Sequence, residues 1–349
     1  IKDNYLRLRY KLGRIPKLDD FDRFGEMDIT CVFRSNRLGS YHAFLKKYEP
    51  DYHITFNALA EKFLQYISKE FAEGKRPHEL LILDIILQHP EEKHIFSVLE
   101  QRLALRPYEI AFKRNTRQNL IHIMTGNFAT GASRKTFQDC VFIEPCGKDY
   151  TVSAVFHAQL QDEEFRSQVE ELVCFGLRRY QENYSNPYKD SGFQLYQKYD
   201  YEDVCRIMDW SHALVPLNIG GYKYDEESRT YPVFINYDKA ADVQDSINYH
   251  DRFLNSSQLI SISKSKRNMD SEDVRRFCQA EDEGLPIDLF VRKNKDDKEA
   301  KSFYYLGRMT NYHAEPIKMD SGDTAVELFW QLDTAVREDL YDYITSKEA

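Results

Sequence analysis

Cysteine is sparse and unpaired in this sequence: six residues in 349, with no Cys-x-x-Cys, leave no frame for a disulfide scaffold or a zinc site. Cys31, Cys140, Cys146, Cys174, Cys205 and Cys278 are scattered, some in apolar runs such as 172–175. That pattern predicts buried, reduced thiols in a cytoplasmic protein. No signal-peptide pattern and no apolar run near the length of a membrane span is present. The ten histidines include no His-x-x-x-His or His-x-His ligand pair, and no Gly-x-Ser-x-Gly elbow occurs. Nothing local calls for catalysis, a metal or a cofactor. An excess of positive charge is missing too. Lys and Arg number 48 against 57 Asp and Glu, a net charge of -9, so any contact with nucleic acid must come from local basic patches.

Aromatic residues are plentiful by contrast, with 24 Tyr and 22 Phe. The length suits two or three domains with proper cores. The chain opens at Ile1 within a helix-like run, without Met, which predicts a piece of a larger protein. Phe56, Leu59, Ala60, Phe63, Leu64, Ile67 and Phe71 follow the i, i+3, i+4, i+7 spacing of an amphipathic helix. Helix-like segments at 79–88, 93–103 and 107–124 precede strand-like runs at 139–144 and 150–156, the element order of a winged helix. Residues 102–135 carry seven Lys or Arg against the single Glu109, which suits a phosphate-tracking helix and equally a solvated face. A helix at 163–180 and an Asn, Tyr and Ser-rich linker at 181–192 follow. After a short helix near 201–210, alternating segments at 231–237, 259–264, 287–293, 303–310 and 325–332 predict a small, strongly bent barrel, closed by a helix at 334–344. The expected fold class is therefore α+β. It comprises a mainly helical region at 1–195, winged-helix-like near 76–156, and a β-barrel at 196–349.

Two motifs fall short of their chemistry. Gly126 to Ser133 imitates a phosphate-binding loop, but Ala132 stands where the phosphate-binding lysine belongs. Asp288 with Glu299 and Lys301 echoes a metal-dependent nuclease, yet the last two fall in or beside a hydrophilic loop that reads as a turn.

The stretch from Gly220 to Arg267 combines three functions. Aromatic rings stack on a base, short polar side chains read its edge, and lysines and arginines neutralise phosphates. Tyr231, Val233, Ile235 and Tyr237 share one face of a strand, and Phe234 and Asn236 the other. Tyr222, Phe234, Asn236, Tyr237, Asp238 and Ser263 are the candidate base-pocket residues. Lys239, Lys264, Lys266, Arg267 and Arg292 are the candidate phosphate contacts.

The runs 12–21 and 74–80, with Gly220-Gly221-Tyr222-Lys223, 232–237, Ser263 to Arg267, 289–293 and 303–307 in that order, resemble a family of C-terminal regions attached to DEAD/DEAH-type helicases. Its best-understood type is the SauUSI-like, modification-dependent (type IV) restriction enzyme, which also carries a phospholipase-D-like nuclease. The resemblance implies a coupler at residues 1–195 and a barrel similar to SRA (SET- and RING-associated) domains at 196–349. Such a barrel would flip 5-methylcytosine, or 5-hydroxymethylcytosine, out of double-stranded DNA. The partners implied are that DNA and the helicase and nuclease domains of the parent chain, in phage defence, with no membrane. Related barrels often carry Trp where this chain has Ser261. On this reading the fragment targets rather than cuts, and the alternatives are a scaffold for the motor or a metal-dependent nuclease.

Overall fold

A computed structural model describes residues 1–237, 250–294 and 302–346 of the chain. Two compact units result, Ile1–Ser185 and Asn186–Ala349. The division falls ten residues before the expected one at 195/196, because the residues taken for a linker are built into the second unit. Tyr188 N–H donates to the Phe193 carbonyl at 2.7 Å, and the Phe193 ring packs edge-on against Tyr199 and Phe290. The preceding helix also runs on to Asn183.

The first unit is helical around one small hairpin. Some of its helices begin where short polar side chains cap them: Ser40 accepts from Ala43 N–H, Asn57 from Ala60 N–H, and Asp162 from Glu164 and Phe165 N–H. The amphipathic run forms Ala58–Tyr66 and then a π-helical turn, Ile67–Phe71, with Phe63, Leu64, Ile67 and Phe71 buried. Helix His78–Gln88 is apolar on nearly every side and is correspondingly buried along almost its whole length. It packs between Ile95–Ala104 and Glu163–Asn183. Gly176 permits that approach, since a Cβ there would lie 2.8 Å from Leu80 Cδ1.

Three helices precede the hairpin in the expected order, with differences. The third is Arg114–Met124, not 107–124. Ile110 N–H folds back to the Leu103 carbonyl at 2.8 Å, so the preceding residues form a loop. A further helix, Gly131–Phe137, intervenes before β1 (Ile143–Cys146) and β2 (Asp149–Val152), which pair antiparallel. Gly126 is required by packing, for a Cβ there would meet the Gln138 carbonyl oxygen at 2.5 Å.

The second unit is a mixed sheet with helices, so the chain as a whole is α+β. Its strands are β3 (Lys198–Tyr199), β4 (Tyr231–Asn236), β5 (Arg252–Asn255), β6 (Gln258–Ile262), β7 (Ile287–Arg292), β8 (Phe303–Lys318) and β9 (Thr324–Leu332). They lie in the order β4-β7-β8-β9-β6-β5, with β3 beside β8. Among the described residues only β4 and β7 pair parallel; every other pair is antiparallel. The strand expected to end near 310 continues to Lys318. A register shift opposite β7, beside Gly307 at φ 89°, and another between Asn311 and His313 let β8 bend away from β7 and onto β9. Helices Glu272–Gln279 and Glu338–Thr345 contribute Val274, Phe277, Leu340 and Ile344 to the core around Trp330.

Among the described residues no helix is long and apolar enough to cross a membrane. The six thiols are free. Cys140 and Cys205 are buried, and burial pushes both up to about 12. Cys31, Cys174 and Cys278 are exposed, against expectation. Cys174 lies between buried Val173 and Phe175, and the helical repeat turns it outward.

Candidate functional site

Gly220 and Gly221, at φ 58° and 95°, turn the chain sharply into the segment 222–233. Phe234 N–H returns to the Gly221 carbonyl at 2.7 Å, and Tyr222 bridges to Val233. Asp225 closes the far end of this excursion by accepting from Ser228 N–H and Oγ–H. Tyr222, Tyr224 and Tyr231 are thereby brought to one place. With helix Glu272–Gln279 and the basic turn after β6 they line an open cavity of about 480 Å³.

The inner wall is a built hydrogen-bond system. Tyr222 Oη donates to Asp273 Oδ2 at 2.8 Å and accepts the Lys264 backbone N–H at 3.0 Å. Arg267 Nε donates to the same Asp273 oxygen at 2.8 Å. Burial alone would raise the Asp273 carboxyl, but the bonds from Arg267 and Tyr222 outweigh it and hold Asp273 below the usual carboxylate range. Burial, reinforced by bonding to Asp273, raises Tyr222, which stays a protonated donor. The Tyr231 ring stacks on Phe277 at 4.1 Å, and the Arg276 guanidinium lies 3.9 Å above the Tyr224 ring. Lys223, Lys264, Arg267 and Arg276 line the cavity against two carboxylates, Glu272 and Asp273. The lining is thus cationic on an acidic chain.

Of the expected residues, the cavity gathers Tyr222, Lys264 and Arg267. Lys264 is no free phosphate contact. Its Nζ donates to the Ile219 and Tyr222 carbonyls at 3.0 and 2.9 Å and sits 4.6 Å above the Tyr222 ring. Burial, with Arg267 and Lys223 nearby, lowers its pKa. Lys266 is exposed at φ 63° and does not line the cavity. Phe234 points to the opposite side of β4, stacked on Phe290 at 5.2 Å and close to Tyr201 and Phe303. Asn236 accepts from Arg292 Nε, whose guanidinium lies over Phe303, so this pair belongs to that second face too. Tyr237 packs on the core beside Phe253. Ser263 Oγ accepts Val326 N–H at 2.9 Å and donates to the Lys264 carbonyl at 3.0 Å, a strand-end role. Asp238 and Lys239 lie outside the described residues.

Sequence reasoning missed Asp273, Arg276 and Tyr224. The signal for the first two was the amphipathic pattern of 272–279, where Val274 and Phe277 turn inward while charge collects on the remaining positions. The Ser261 hydroxyl accepts Trp330 Nε1–H at 2.7 Å, so an indole from the neighbouring strand fills the core there. Asp288 is buried between Tyr305 Oη (2.7 Å) and Arg308 Nε (3.3 Å). Glu299 and Lys301 lie outside the described residues, and no group of three potential metal ligands occurs among the described ones.

Residues 1–183, more than half the chain, match the family described as Domain of unknown function (DUF8090). The chain belongs to the DUF8090 family. In this DUF8090 protein residues 193–344 match a second family, Domain of unknown function (DUF3427). No curated protein matches. Similar solved structures include the SUVH5 SRA domain with hemimethylated CG DNA, at 10% identity over 42% of this chain and 93% of that one, TM-score 0.30. The SUVH5 SRA domain bound to fully hydroxymethylated CG DNA gives 11% identity, 44% and 97% coverage and TM-score 0.29. Arabidopsis thaliana SUVH6 in complex with SAM gives 11%, 83% and 43%, with TM-score 0.32.

Proposed function

We propose that the second unit is an SRA-like reader of modified DNA, taking 5-methylcytosine or 5-hydroxymethylcytosine flipped from the duplex into the Tyr222–Asp273 cavity. The observation that carries this reading is a tyrosine-walled cavity with one ionised, doubly held carboxylate inside it and a cationic lining. A carboxylate accepts from the cytosine N4 amino group, and among the described residues Asp273 Oδ1 takes only the adjacent Val274 N–H at 3.0 Å. Extruding a base costs a few kcal/mol. Stacking on an aromatic side chain returns about 1–3 kcal/mol per base, and a methyl contact in a dry pocket discriminates by about 1–3 kcal/mol. The order of the short signatures shared with helicase-attached C-terminal regions supports the wider setting. In it the first unit, winged-helix-like in part, is the coupler, and the chain is the non-catalytic, cytoplasmic targeting part of a type IV restriction enzyme.

A fluorescence anisotropy titration with matched duplexes, one carrying 5-methylcytosine, one 5-hydroxymethylcytosine and one unmodified, tests this at two salt concentrations. Tighter binding to a modified duplex at both salts is expected. Equal affinity for all three would refute the reader, and no binding even at low salt would leave a scaffold for the motor.

A further inference from the structure

The basic run of the first unit has no part in the cavity chemistry, and its folded arrangement is specific. Lys113 and Arg114 begin helix Arg114–Met124, and Arg117 stands one turn on, on the same face as Arg114. Arg117 Nη2 donates to the Lys148 carbonyl at 2.8 Å, and its guanidinium lies 5.1 Å above the Phe96 ring. That bond pins the β1–β2 turn, with Lys148, beside the start of the helix. Lys113, Arg114 and Lys148 are exposed.

Three carboxylates close to these residues in the chain are engaged elsewhere. Asp149 turns inward to the N–H groups of Phe96 and Ser97, Glu144 takes Ala154 N–H, and Glu109 faces Arg106 at 3.7 Å. No acidic residue stands in the first turn of helix Arg114–Met124. Four cations across a helix and a hairpin turn, none of them in an ion pair among the described residues, on a chain of net charge -9, describe a surface for a polyanion with closely spaced charges.

We infer that Lys113, Arg114, Arg117 and Lys148 form a second, sequence-independent contact with the phosphate backbone of nucleic acid. It acts independently of the base cavity and binds modified and unmodified duplex alike. The test is the whole chain carrying Lys113→Glu with Arg114→Glu, against a control of equal charge change, Lys2→Glu with Lys11→Glu. Acidic residues suit a helix start, so the first variant keeps its fold, which circular dichroism checks.

The Lys113/Arg114 variant is expected to lose about tenfold or more in affinity for an unmodified duplex. Its slope of log K against log salt should flatten by about 2, near 0.9 per phosphate contact. The control should stay close to wild type, and the ratio of modified to unmodified affinity should be preserved. Unchanged affinity and slope overturn the inference, as does an equal loss in the control. Loss of binding to anionic vesicles with duplex binding intact overturns it in favour of a membrane surface. A vanished methyl preference in wild type, with the patch effect intact, would count against the base reader alone.

Discussion

The Tyr222 hydroxyl and the Asp273 carboxylate meet at 2.8 Å, and the same carboxylate oxygen also takes Arg267 Nε–H at 2.8 Å. Two donors from different segments therefore set where the negative charge of the cavity stands. Asp273→Asn keeps the shape and removes the charge. It is expected to weaken binding of methylated duplex about tenfold, or ~1.4 kcal/mol, without weakening the unmodified duplex. Tyr222→Phe removes one of the donors and should give a smaller loss of the same kind. Anisotropy titrations of both variants check this, and an unchanged affinity of Asp273→Asn for the methylated duplex would exclude Asp273 as the group that reads the base.

Much of the sheet was readable because alternation survives burial. Tyr231, Val233 and Ile235 do turn to one core and Phe234 to the other side. What alternation does not say is which face borders the Tyr222–Asp273 cavity, and Phe234 lies on the other one. Lys264 and Arg267 were recognised as cations near the site. Their partners, two carbonyls and Asp273, depend on the turn at 219–222 and on a helix eight residues long. The far half of β8, through His313, Glu315 and Pro316, has little β-propensity and pairs because β9 lies alongside.

Asp149 gives the first unit an acid-sensitive joint. From the start of β2 its carboxylate accepts Phe96 N–H at 3.0 Å, Ser97 N–H at 3.1 Å and Ser97 Oγ–H at 2.7 Å, capping helix Ile95–Ala104 from outside. Burial raises this carboxyl, but the hydrogen bonds prevail and hold it below the usual range. A folded-state value below the unfolded value, about 3.9, means the stabilisation is complete above that pH and is lost as pH falls through the folded value. Asp149→Ala should cost about 1–2 kcal/mol at neutral pH, and its gap from wild type should narrow below about pH 4. Urea denaturation at neutral and acid pH measures both gaps, and a gap that does not change with pH would contradict the assignment.

Tyr224 and Phe234 should behave as opposites, although sequence alone favours the second as a pocket wall. Tyr224 is half-buried at the cavity beneath the Arg276 guanidinium. Phe234 is buried among Phe290, Tyr201 and Phe303. Tyr224→Ala removes a stacking surface worth about 1–3 kcal/mol per base. It should cut affinity for methylated duplex about tenfold or more while moving the melting temperature little. Phe234→Ala opens a hole in an aromatic cluster and should cost about 3–5 kcal/mol of stability, with the methyl preference of the protein that remains folded unchanged. Thermal denaturation and titration on the same preparations separate the two effects. A stable Phe234→Ala protein that has lost its methyl preference would return Phe234 to the pocket and move the binding site to the other face of β4.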